Sequence, residues 1–252
     1  MNNPPDPKSP PDRFHPLAPV AVQMIVLEPG GTLYDDTAWP RWLMRVLQQI
    51  GVRAEFRPLI RLFEHEWLGA VYRGECDYWS ALSGFLKQLG LSSAQIEEIE
   101  AAGRSKWHAR ETDFRLFPGV AAALSQLRSV GFSLGLVANS TRTPDQFERR
   151  LRLLGVREHF ELVATSRELG RALPDRRVFD ESAEMARCSS SEMVFVSDDL
   201  AQLDAAAEAG WRTAGMHFDA ACREHLELER LIDLTSAFAP KLAASDRWLR
   251  AA

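Results

Sequence analysis

The chain has 252 residues, 46% of them hydrophobic and 26% charged, with a formal net charge of −5. That balance suits one large soluble α/β domain, or a core with a smaller inserted domain, and gives no electrostatic case for nucleic acid or an anionic membrane as partner. Cys76, Cys188 and Cys222 are widely spaced and form no Cys-x-x-Cys pair, and no apolar run approaches the roughly 18 residues of a membrane helix. A reducing compartment is therefore expected, with no disulfide framework, no zinc site and no signal segment; the expectation is a cytoplasmic protein.

Residues 1–19 hold seven of the fourteen prolines and few apolar anchors, so an extended tail is expected there. Residues 20–27 read as a buried strand that runs straight into Glu28 and then a Gly30-Gly31 turn. Helical periodicity follows. Apolar side chains recur at Trp42, Leu43, Val46, Leu47 and Ile50, then at Phe56, Leu59, Ile60, Phe63, Trp67 and Val71, then at Tyr78, Trp79, Leu82, Phe85 and Leu86. Ser92 or Ser93 caps one more helix, through Ile96 and Ile99 toward Trp107, and Gly51, Gly74 and Gly90 punctuate the series.

Residues 36–113 are accordingly expected to form a small helical unit inserted into a core made of residues 20–35 and 114–234. Five of the seven tryptophans (Trp39, Trp42, Trp67, Trp79 and Trp107) fall within it. They suit either the filling of a small core or an aromatic binding surface. From Phe117 onward strands and helices alternate. Strands are expected over 132–138, 161–165, 193–196 and 211–217. Helices are expected over 120–130, 144–154, 174–187, 200–209 and 221–234, with residues 235–252 as a tail. Alternation of this kind predicts an α/β fold with a doubly wound parallel sheet.

Four stretches resemble the motifs of the haloacid dehalogenase (HAD) superfamily. Met24-Ile25-Val26-Leu27-Glu28-Pro29-Gly30-Gly31-Thr32-Leu33 is similar to its first motif, a hydrophobic strand followed by Asp-x-Asp-Gly-Thr-Leu. On that pattern Glu28 stands at the nucleophile position and Gly30 at the acid/base position. Leu136-Val137-Ala138-Asn139-Ser140 resembles the second motif, with Ala138 where a hydroxyl is normal. Gly170-Arg171-Ala172-Leu173-Pro174-Asp175 resembles the third, with Leu173 at the lysine; no lysine occurs between Lys106 and Lys241. Val194-Phe195-Val196-Ser197-Asp198-Asp199, followed by Leu203-Asp204-Ala205-Ala206, resembles the fourth.

The resemblance implies a HAD-like Rossmannoid core with an inserted α-helical cap. It offers Gly31, Thr32, Asn139 and Ser140 as ligand-binding positions, and Glu28, Asp198 and Asp199 as carboxylates for Mg²⁺. The reaction it implies is attack by a carboxylate on phosphorus or carbon, with a second acid, a hydroxyl and an ammonium handling the charge. Glu28 displaces the attacking oxygen by roughly 1 Å, a misplacement that costs on the order of 10²-fold. A missing general acid is worth about 10²–10⁴-fold and a missing electrostatic donor roughly 10²–10³-fold. The expected function is thus a catalytically degenerate member that binds a small ligand in its cleft or a protein partner on the Trp-rich cap. The rival expectations are a Mg²⁺-dependent phosphatase of a small phosphorylated metabolite, and a structural subunit.

Overall fold

The structure is a computed structural model and describes residues 21–110, 114–216 and 225–238. The proline-rich segment and Cys222 lie outside the described residues. Six strands make one parallel sheet in the order β3-β2-β1-β4-β5-β6. They are β1 (Met24–Leu27), β2 (Ser133–Ala138), β3 (Leu162–Thr165), β4 (Met193–Ser197), β5 (Arg212–Met216) and β6 (Leu226–Leu228).

The strands read as near-continuous apolar runs because both faces of the sheet are covered. In β1, Ile25 and Leu27 enter one core cluster while Met24 and Val26 enter the other. In β4, Val194 and Val196 part from Met193 and Phe195 in the same way. This is the two-residue alternation of an extended chain. Helices α6 (Val120–Ser129) and α7 (Pro144–Leu153) cover the first face through Leu124, Leu127, Phe147 and Leu151. On the second face, beyond the short helix α8 (Ser166–Leu169), α9 (Arg176–Ala186) and α10 (Leu200–Glu208) pack Phe179 and Leu203.

The expected strands and helices recur within a few residues, with two corrections. A helix was expected over 221–234, but Leu226–Leu228 is an edge strand, in parallel register with β5 (Ala214 opposite Leu226, Met216 opposite Leu228). Leu226, Glu227 and Leu228 alternate as a strand does, and pairing with β5 outweighs the helical signal. The expected tail also starts too early, because helix α11 (Leu234–Phe238) packs Leu234 and Phe238 onto the core.

Between β1 and α6 the chain builds the helical unit: α1 (Ala38–Gln49), α2 (Phe56–Phe63), α3 (Gly69–Tyr72), α4 (Tyr78–Gln88) and α5 (Ser93–Arg110). It has a core of its own, with Leu47, Leu82, Phe85 and Leu86 fully buried. A π-helical turn, Glu64–Leu68, joins α2 to α3. No helix among the described residues is long and apolar enough to cross a membrane.

Candidate functional site

The sheet order reverses at β1, whose neighbours are β2 on one side and β4 on the other. Open parallel sheets place ligands in the crevice at the carboxyl ends of such strands. Glu28 leaves the tip of β1, its N–H bonded to the Val196 carbonyl at 2.9 Å. The turn that follows is closed by Leu33 N–H to the Pro29 carbonyl (2.9 Å), and by the buried Thr32 hydroxyl, which donates to the Glu28 carbonyl. Gly31 has φ +69°, a backbone conformation glycine adopts at no steric cost. A Cβ there would overlap the Asp198 carboxylate. Gly31 and Thr32 therefore shape the turn rather than face the cavity.

At the tip of β2, Asn139 clasps the backbone of Leu173: its Oδ1 accepts from Leu173 N–H at 2.8 Å and its Nδ2 donates to the Leu173 carbonyl at 2.9 Å. The Leu173 side chain is buried in the second core cluster. The Ser140 hydroxyl is also buried, where it donates to the Arg142 carbonyl and accepts from Arg142 N–H. Arg171, Arg176 and Arg177, the cations nearest in sequence to the third motif, pair with Glu181, Asp180 and Asp175.

A cavity of about 180 Å³ lies between sheet and helical unit. Of the positions singled out by sequence, Glu28, Gly30, Ala138, Asn139 and Ser140 line it. Several residues not singled out also reach it: Asp36, Glu64, Tyr72, Arg142 and Arg150. No motif marked them: Asp36 lies three residues beyond Leu33, and Glu64 opens the π-helical turn, a feature frequent at functional sites that only the structure reveals.

All five tryptophans of the helical unit pack against its core, and two of them, Trp39 and Trp107, also line the cavity with Tyr78. Trp39 Nε1 donates to Tyr78 Oη at 2.5 Å, and the Trp39 and Trp107 rings meet edge to face at 4.9 Å. Both arginines are held against rings, Arg142 over Trp107 at 4.7 Å and Arg150 over Phe114 at 3.9 Å.

Carboxyls dominate the electrostatics. Burial, then Asp36 and Asp198, raise Glu28 well above the usual carboxylate range; the Gly30 N–H opposes them in part. Asp36 keeps solvent contact at the cleft, yet the enclosing walls and then Asp198 raise it to about 6. Glu64 on the helical unit rises to about 7, through desolvation and then the charges of Asp36 and Asp199 opposite. Tyr34 is pushed up to about 12 by burial, with the Arg150 guanidinium opposing.

A magnesium ion, which the fold implies, suits this donor set in part. Mg²⁺ uses one or two carboxylates and leaves its other positions to water and phosphate oxygens. Glu28 and Asp198, on adjacent strand tips, meet that description. Asp199 does not join them, because its Oδ1 accepts from Gln202 N–H at 3.0 Å and caps α10. Among the described residues, no three Asp, Glu, His or Cys side chains are placed to share one ion, so the expected trio reduces to a pair.

Residues 30–210 match the family model of the haloacid dehalogenase-like hydrolases. A glyceraldehyde 3-phosphate phosphatase from Methanothermobacter thermautotrophicus is 34% identical over 84 residues, 33% of this chain and 36% of that protein. Haloacid dehalogenase-like hydrolase domain-containing protein 3 from Bos taurus is 31% identical over 130 residues, 52% and 49% of the two chains. The chain thus spans a third to a half of the length of these curated relatives. The crystal structure of a 2-haloacid dehalogenase from Pseudomonas syringae superposes with a TM-score of 0.60 at 20% identity, covering 86% of this chain and 98% of that one. At that identity the likeness concerns the fold.

Proposed function

The chain belongs to the haloacid dehalogenase-like hydrolase family, and from that premise we propose that its cleft binds a small ligand while the family's covalent hydrolysis is lost. One observation carries this reading: the two charge-handling positions are closed, and the two cations that reach the cavity, Arg142 and Arg150, are held against the Trp107 and Phe114 rings. Leu173 is buried and its backbone is clasped by Asn139, Ala138 offers no hydroxyl, and the Ser140 hydroxyl is spent within its own turn. Phosphoryl transfer depends on positioning and on stabilising spreading negative charge. A phosphate dianion brought into this cavity meets Glu28, Asp36 and Glu64 with no ammonium at the lysine position, and the only lining cations among the described residues are Arg142 and Arg150, both held against rings. One like-charge contact at 4 Å costs about 4 kcal/mol at an effective dielectric of 20.

A second reading, a Mg²⁺-dependent phosphatase, draws support from the Glu28–Asp198 pair and from relatives named as phosphatases. A bound Mg²⁺ would neutralise those carboxylates and draw in an anionic ligand. The deciding measurement is hydrolysis of an aryl phosphate with Mg²⁺, by wild type and by Asp198→Ala. Our reading expects rates at least about 10³-fold below an ordinary phosphatase and indifferent to Asp198→Ala. Turnover at an ordinary enzymatic rate, abolished by that substitution, establishes the phosphatase instead.

A further inference from the structure

The empty position in the first motif is not empty in space. A Cβ built on Gly30 would fall onto the carboxyl of Asp36: it overlaps Oδ2 and lies 2.9 Å from Cγ, with Glu28 Oε2 next at 3.2 Å. The volume that a side chain at position 30 would occupy is therefore held by a carboxyl arriving from six residues downstream.

The local backbone explains how it gets there. Gly31 N–H donates to the Tyr34 carbonyl at 3.1 Å, and Gly30 and Tyr34 form a parallel bridge, so the chain doubles back beside residue 30. Tyr34 is pinned in turn by its antiparallel bridge to Leu116. The neighbouring Asp35 is turned elsewhere. Its carboxylate accepts from Thr37 N–H (2.9 Å) and the Thr37 hydroxyl (2.5 Å), and lies 3.5 Å from Arg41. Asp36 alone of this acidic pair lines the cavity.

We propose that Asp36 has taken over the acid/base position vacated at residue 30, its carboxyl reaching the same point of the cleft by a different route along the chain. This rests on reading the cleft as an altered hydrolase site, and it divides the four altered positions. Position 30 has been refilled from elsewhere in the fold, whereas Ala138 and Leu173 have not. Refilling only Glu28, Ala138 and Leu173 would then reopen the chemistry. A carboxylate oxygen at position 28 bonds to phosphorus as the bond to the leaving oxygen breaks, and the Asp36 proton passes to that oxygen. Asp36 then takes a proton from the water that splits the acyl phosphate.

Two measurements test it. The first is a stability cycle. Gly30→Ala is expected to lower Tm by several degrees in the wild-type chain, and by less than half as much when Asp36→Ala has cleared the space. Equal costs in both backgrounds overturn the proposal.

The second uses a chain carrying Glu28→Asp, Ala138→Thr and Leu173→Lys, with Gly30 left in place. With Mg²⁺ it is expected to hydrolyse both an alkyl phosphate and p-nitrophenyl phosphate. Adding Asp36→Asn should cost about 10²–10⁴-fold on the alkyl ester, whose leaving group needs a proton, and under about 10-fold on the aryl ester. Equal losses, no loss, or a folded repaired chain inert toward both esters overturn it. Should the repaired chain fail to fold, the stability cycle decides. Wild-type turnover tests the degenerate reading separately, so the two can fail independently.

Discussion

Glu28 carries a charge that its surroundings suppress. Protein encloses the carboxyl, three neighbouring aspartates (Asp36, Asp198 and Asp199) repel its anion, and a single N–H from Gly30 favours it. Removing the charge while keeping the shape should therefore cost little. Glu28→Gln is expected to lie close to wild type in Tm near pH 5 and to exceed it at pH 8; a thermal melt at each pH checks this. At the same scale, the strand-to-carboxylate-to-glycine pattern pointed to the position of Glu28 without any structure. Asp36 was missed because it belongs to no motif and reaches the site only through the fold-back at Tyr34.

At the scale of elements, the helical unit depends on close packing at one small residue. Gly84 lies in the interior of α4, where alanine would normally favour the helix by about 1 kcal/mol. A Cβ there would run into the Trp67 ring, which is tethered by its Nε1 to Gln88 at 2.9 Å. Overpacking of this kind costs roughly 1–3 kcal/mol, so the clash should outweigh propensity and Gly84→Ala should lower the urea midpoint. On the sheet side, Thr143 and Gln146 form a reciprocal capping box at the start of α7, which carries Arg150 to the cleft. Thr143→Ala is expected to cost about 1 kcal/mol, read from the same urea titration.

For the whole molecule, the cleft joins two bodies through groups of like charge. Asp36 and Glu64 face each other from sheet and helical unit, raised from 3.8 to about 6 and from 4.5 to about 7. In the unfolded chain both lose their protons first. Between about pH 4 and pH 7 the native state thus holds more protons, and stability falls as pH rises. Both residues keep solvent contact, so screening limits each to roughly 0.5–1 kcal/mol. Without divalent cations, Tm should be higher near pH 5 than at pH 8, by about 2–4 °C per group at this size. Asp36→Asn combined with Glu64→Gln should flatten the profile and raise Tm at pH 8. A profile that instead rises between pH 5 and pH 8 contradicts the desolvation, and the carboxylate charges next to it, that raise these two groups.

The sequence by itself determined five of the six strands, the inserted helices and the four altered positions, because each depends on local periodicity or on residue identity at a fixed spacing. Alternating apolar residues specify a doubly covered strand, and Leu173 cannot be an ammonium in any fold. Tertiary structure alone decided which side chains meet. Asp36 fills the space beside Gly30, Asp199 is spent on capping α10, and of the five tryptophans packed on the helical core Trp39 and Trp107 also reach the cavity. It also turned residues 226–228 into a strand. Such outcomes come from contacts between segments far apart in the chain, and a reading of neighbours along the sequence does not contain them.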